Sequence, residues 1–164
     1  MMNLHETLIS KDASGSKLIV TRDFNAPLAK TWRAFTDSSL TDQWWAPRPW
    51  KTETKSMDFR PGGVWLYAMV GPQGEKHWCR VDIKEIDPEK SFKVQDYFCD
   101  EQGNPNNDLP KMQWFAQFSP TDTGTHLTIE ISFESEADLE KIVQMGFKEG
   151  FTMALGNLDE LLAG

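Results

Sequence analysis

Apolar and polar positions alternate with a period of two through the middle of the chain, and recur at helical spacing only towards its two ends. Residues 17–24 form a short β-branched and aromatic run that ends at Asn25-Ala26-Pro27, where a proline near a first helical position marks a helix start. Leu28, Trp32 and Phe35 then follow a helical stripe, Asp37-Ser38-Ser39 breaks it with a new cap, and Leu40 with Trp44 makes a second short apolar face. Two short helices joined by a hinge are predicted, the second stopped by Pro47 and Pro49. Strands are predicted over 52–58, 64–70, 77–86, 91–99, 111–119 and 125–133. Their connections are Arg60-Pro61-Gly62-Gly63, Gly71-Pro72-Gln73-Gly74, Asp87-Pro88-Glu89-Lys90, the polar stretch 100–110, and Pro120 to Gly124. This is an antiparallel meander, and the stretch 100–110, poor in apolar anchors, is expected to be its most mobile part. After a capping sequence, Ser135-Glu136-Ala137-Asp138, an apolar stripe through Leu139, Ile142, Phe147, Phe151, Leu155 and Leu158 predicts one long helix running to the C-terminus. Gly146 and Gly150 fall inside it at a cost of about 0.5–1 kcal/mol each, which implies a bend near Gly146 or a packing role.

A helix with one apolar stripe and a sheet with one apolar face bury each other, so the order of elements predicts an α+β helix-grip architecture. In it a curved antiparallel sheet wraps around the long C-terminal helix, with two short helices after the first strand. The 164 residues make a single domain, 1–164, with its core at about 16–163, long enough to bury about 70% of the unfolded surface. Such a grip tends to enclose a cavity. Strand parity puts Trp65, Tyr67 and Met69 on one inward face, with Cys79 and Val81, then Phe92 and Val94, then Trp114 and Ala116 on the strands that follow. From the helix, Gly146, Gly150 and Ala154 recur every four residues beside Phe151 and form a strip almost without side-chain volume. The strip suits either close helix–sheet packing or a space left for an apolar ligand.

Charge narrows the partners. Seventeen Lys and Arg against 25 Asp and Glu leave a net charge of −8, contrary to the clustered cations that nucleic acid or an anionic membrane requires. The start of the chain lacks a basic segment before an apolar run, and no apolar stretch approaches the roughly 18 residues of a membrane span, so a cytoplasmic protein is expected. Cys79 and Cys99 read as free thiols that the turn at 87–90 brings near one another, and His5, His77 and His126 are too scattered for a metal motif. No cofactor motif is present: GxSxG, GxGxxG and the phosphate-binding loop are all missing. The titratable side chains with parity suited to the cavity are His77, Asp96 and Tyr67, the candidates for acid or base work, although His77 beside a turn also suits plain solvation. Val64, Leu66 and Ala68 form an apolar outer face that leaves room for a weak homodimer in place of a monomer.

Trp44-Trp45-Ala46-Pro47, Asp58-Phe59-Arg60-Pro61-Gly62-Gly63 and Gly71-Pro72-Gln73-Gly74, with Phe24-Asn25-Ala26-Pro27 and the Gly150-Phe151 step, resemble the heat shock protein 90 ATPase activator homologue-like family of the START-like (SRPBCC) superfamily. The similarity runs from about Val20 to Leu162; many members carry Trp where this chain has Phe151. The resemblance implies a helix-grip fold with a hydrophobic tunnel under the terminal helix. It also implies three kinds of activity: binding of a small hydrophobic or aromatic ligand, a template-type cyclase or hydratase-like reaction, or stimulation of a heat shock protein 90 type ATPase. Fold analogy does not choose among them. Arg60-Pro61-Gly62-Gly63 has its own structural reading, a tight type II turn with Asp58 paired to Arg60.

Overall fold

Strand chemistry recurs often enough in this chain to build one eight-stranded antiparallel sheet. In the computed structural model, which describes residues 6–164, the strands are β1 (Leu8–Lys11), β2 (Lys17–Phe24), β3 (Lys51–Met57), β4 (Val64–Val70), β5 (Lys76–Asp87), β6 (Ser91–Cys99), β7 (Met112–Pro120) and β8 (Thr125–Ser132). The helices are α1 (Leu28–Thr36), α2 (Ser38–Thr41), α3 (Glu136–Gln144) and α4 (Phe147–Ala163). His5, and the residues 1–5 read for a leader, lie outside the described residues. The order across the sheet is β1-β2-β8-β7-β6-β5-β4-β3, so β3 to β8 form the expected meander and β2 returns to pair with β8. Register shifts between Thr54 and Ser56 and between Ile83 and Glu85 add local twist, which helps an open sheet curl. The fold is the α+β helix grip.

Two parts of the expectation change. A short edge strand, β1, precedes the run at 17–24, so the two small helices come after the second strand. Its four residues, Leu8-Ile9-Ser10-Lys11, are mostly exposed and pair only with β2, so they carry too little burial pattern to be read in advance. The C-terminal helix is also two helices rather than one. Gly146 takes a left-handed backbone (φ 92°), which ends α3 and starts α4.

The small helices hold the segment after them in place. Trp32 and Phe35 of α1 meet Phe118 edge-on, with ring centres 5.2 Å apart in each case, and plug one end of the sheet's concave face. After α2, the Trp44 indole donates to the Ala34 carbonyl at 2.8 Å. Asn157 of α4, buried, donates from Nδ2 to the Ala46 carbonyl at 3.1 Å and to the Trp44 carbonyl at 3.5 Å. On the other flank of α4, Arg22 points inward from β2 and pairs with Asp159, while its second nitrogen donates to Thr7. These polar contacts hold α4 to the rest of the protein along a face the apolar stripe does not cover.

The turn after β3 forms as expected: Gly62 has φ 85°, the Gly63 amide donates to the Arg60 carbonyl at 2.7 Å, and Arg60 pairs with Asp58 at 2.6 Å. A side chain at Gly63 would collide with the Asp58 carbonyl oxygen at 1.9 Å, so this position admits only glycine. The stretch 100–110 is better anchored than its composition suggests. Asp100 accepts from the amides of Gln102 and Asn104, the Asn106 amide bonds to the Phe98 carbonyl, and the Gly103 and Asp108 carbonyls accept from Arg80 and Lys141. Arg80 stands opposite Leu66, and Trp78 opposite Ala68, on the outer face. Leu66 and Ala68 are buried and Val64 is half-buried, so little of the outer apolar patch is open surface.

Candidate functional site

At the end of the concave face left free by α1, a pocket of about 200 Å³ lies between β4–β7 and the junction of α3 with α4. Its sheet wall is built by alternation: Tyr67 and Met69 on β4, Cys79 on β5, Asp96 on β6 and Trp114 on β7. Phe147 and Phe151, one turn apart on α4, stack with centres 5.5 Å apart and close the helix side. Trp45 and Pro47 close a third side, held there by the Asn157 bonds to their neighbours. A smaller void of about 20 Å³ adjoins the pocket, and Trp45, Asp96 and Trp114 border both.

Most polar groups of the pocket are satisfied, the buried Trp114 indole N–H excepted. The Trp45 indole donates to the Tyr67 hydroxyl at 2.8 Å, and the Tyr67 ring stacks on Trp65 with centres 4.2 Å apart. Burial drives the Tyr67 hydroxyl and the Cys79 thiol well above their ordinary pKa values, so both stay neutral. Asp96 is different. It is 7% exposed, sits between Val81 and Met112 on the neighbouring strands, and has no hydrogen-bond or ion-pair partner among the described residues. Burial alone pushes its carboxyl up to about 7. A buried carboxyl with no partner is a costly arrangement.

Most of the residues singled out by strand parity and the small-residue strip lie at the pocket or at the void beside it. Tyr67, Met69, Cys79, Trp114, Gly146, Gly150 and Phe151 border the larger pocket, and Trp65, Val81, Phe92 and Val94 border the smaller void. Ala116 and Ala154 border neither and are fully packed, because past Phe151 the helix meets the sheet directly. Gly146 reaches the pocket as the left-handed hinge before α4, not as a rung of a helical strip. Of the acid and base candidates, Tyr67 and Asp96 reach the wall, whereas His77 is exposed, its ring 5.3 Å from Trp50 and outside the pocket. Residues not foreseen include Trp45, Pro47, Tyr97, Met112, Ile142, Met145 and Phe147. The tandem tryptophans before Ala46-Pro47 are the signal that could have found Trp45.

Cys79 stands opposite Phe98 and Cys99 opposite Trp78, so the two thiols lie on opposite faces of the sheet and both are free. Among the described residues no group of three or more His, Cys, Asp or Glu side chains could hold a metal ion, and no helix is long and apolar enough to cross a membrane.

A family model described as "Activator of Hsp90 ATPase homolog 1-like protein" matches residues 25–163. The chain belongs to that family. Among solved structures, protein Ms6760 from Mycobacterium smegmatis is 32% identical, with a TM-score of 0.87 over 96% of this chain and 97% of that one. A protein from Arthrobacter aurescens is 28% identical, with a TM-score of 0.89 over 95% and 91%. Protein NE0264 from Nitrosomonas europaea is 27% identical, with a TM-score of 0.77 over 93% and 96%. Comparison with curated proteins finds no match. Family membership therefore brings the helix grip with it and leaves the pocket's own chemistry to indicate the activity.

Proposed function

We propose that this family member is a binding module for a small hydrophobic or aromatic molecule, taken into the pocket between the sheet and α4. The observation that carries the reading is the pocket of about 200 Å³ walled by Trp45, Tyr67, Trp114, Phe147 and Phe151. An apolar cavity of about 150 Å³ is enough to bind benzene, so the occupant is a molecule of one or two rings. Met145, 52% exposed, forms the lip through which it would enter. A reducing cytoplasmic setting and a monomeric state are part of the proposal, in keeping with the two free thiols and the covered outer face.

The test is binding of n-propylbenzene, followed by amide chemical shifts. A side chain at position 150 would first meet Pro47 Cγ at 3.6 Å and then project into the pocket. Gly150→Leu should keep the fold and lose binding. If the Leu variant binds n-propylbenzene as tightly as the wild type, the pocket is not the site.

A second reading, a template-type cyclase or hydratase-like enzyme, is favoured by one feature: Asp96 with a carboxyl near pKa 7 shares the pocket with Tyr67. It predicts turnover that Asp96→Asn abolishes. Stimulation of a heat shock protein 90 type ATPase, the activity in the family's description, is a separate proposal that an ATPase assay with the host chaperone decides.

A further inference from the structure

The unpartnered carboxyl asks for an explanation that a purely apolar occupant does not supply. Asp96 lies in the middle of the concave face, with Val81 and Met112 beside it and with aromatic rings across the pocket. None of the residues that line the pocket is Lys, Arg or His, so nothing within it neutralises an ionised carboxylate or would hold an anionic ligand. The rings of Trp45, Tyr67, Trp114 and Phe151 face the same space, and the quadrupoles of such rings favour a cation. At a distance, a net charge of −8 favours approach of a positive ligand and disfavours a negative one.

Resting on the reading of the pocket as a ligand site, we propose that its occupant is a compact arylalkyl amine, whose basic nitrogen sits on Asp96 and whose ring fills the aromatic wall. Amine and carboxyl meet as an ammonium–carboxylate pair, so one proton moves from the carboxyl to solvent or to the amine, and no other bond changes. The pair is charge-neutral as a unit, which removes the cost of isolating either charge. The groups facing Asp96 do not compete for this role. Tyr67 from β4 and Cys79 from β5 stay neutral, Tyr97 turns its hydroxyl to Asp82 on the outer face, β7 contributes Met112 and Trp114, and the pocket-lining residues of α3 and α4 include no titratable group.

Phenethylamine and n-propylbenzene are close in shape and differ in the terminal group, while phenylacetone offers only a hydrogen-bond acceptor. All three are titrated into wild type and Asp96→Asn, with thermal unfolding of each protein as the fold control. At about pH 8 the wild type should bind phenethylamine at least about tenfold more tightly than n-propylbenzene, and Asp96→Asn should lose that advantage while holding n-propylbenzene within about threefold of wild type. For the wild type, amine affinity should fall about tenfold between about pH 8 and pH 6, as the carboxyl takes up its proton, with n-propylbenzene unaffected.

Equal affinities for the two in wild type, or an amine advantage that survives in Asp96→Asn, overturn the amine proposal and leave the apolar pocket standing. Preference for phenylacetone, stronger at the lower pH, also overturns it and makes Asp96 a proton donor to an acceptor oxygen. Failure of all three to bind folded wild type removes the ligand-site reading itself. Should Asp96→Asn unfold, the pH dependence measured on wild type alone decides.

Discussion

Asp96 carries a cost to folding that can be read in the pH dependence of stability. Its carboxyl is raised from 3.8 to about 7 in the folded protein by burial. Between these values the folded state holds a proton that the unfolded state has released, so this group's contribution makes stability fall as pH rises from about 4 to about 7, then level off. Asn cannot ionise. Asp96→Asn should therefore gain on wild type as pH rises, by on the order of 4 kcal/mol between about pH 4 and pH 8, in urea unfolding at each pH. A variant whose stability follows the wild-type curve would show that the carboxyl is not isolated. Asn157 is the opposite case, a buried polar side chain that is fully used. Asn157→Ala leaves the Ala46 carbonyl without its donor and should cost about 1–3 kcal/mol in chemical denaturation, while also freeing Trp45 and Pro47 from their place beside the pocket.

The element that decides the shape of the site is the break between α3 and α4. Gly146 and Gly150 look alike in the chain, and both border the pocket, but their backbones differ. Gly146 has φ 92°, where an L side chain is strained, so Gly146→Ala should lower stability by about 1–2 kcal/mol. Gly150 is helical, and a methyl there would meet Pro47 Cγ at an ordinary 3.6 Å. Gly150→Ala should raise stability by about 0.5–1 kcal/mol. Thermal unfolding of the two variants should give shifts of opposite sign; two losses would mean that position 150 has no spare room. The clamp between Arg22 and Asp159 belongs to this scale too, since it ties α4 to the second strand. Asp159→Ala should destabilise by about 3 kcal/mol, because a guanidinium that is almost fully buried would lose its charge partner.

For the whole molecule, the concave face is divided rather than hollow throughout. Trp32 and Phe35 with Phe92 and Phe118 fill one end, and the pocket of about 200 Å³ occupies the other. A ligand that binds only the folded state should raise the unfolding temperature, by an amount equivalent to about 2.7 kcal/mol at a hundred times its dissociation constant. The protection should be absent in Gly150→Leu, as read by calorimetry with n-propylbenzene.

The period-two runs, the turn tetrapeptides and the closing stripe were enough to determine the meander, its inward faces and a helical cover over it, though not the break of that cover into α3 and α4, because burial of alternating positions is a local pattern that each segment carries by itself. Parity also brought Tyr67, Cys79, Asp96 and Trp114 onto one wall. Tertiary structure decided what no segment contains. Whether Asp96 would find a partner depended on what β5, β7 and α4 put beside it. His77 ended beside Trp50 outside the pocket, and Leu66 and Ala68 ended buried where Arg80 and Trp78 stand opposite them on the neighbouring strand. Trp45 became a pocket wall through Asn157, more than a hundred residues away in the chain. Such contacts arise from the meeting of distant surfaces, and their energies are set by burial and geometry that a one-dimensional pattern does not hold.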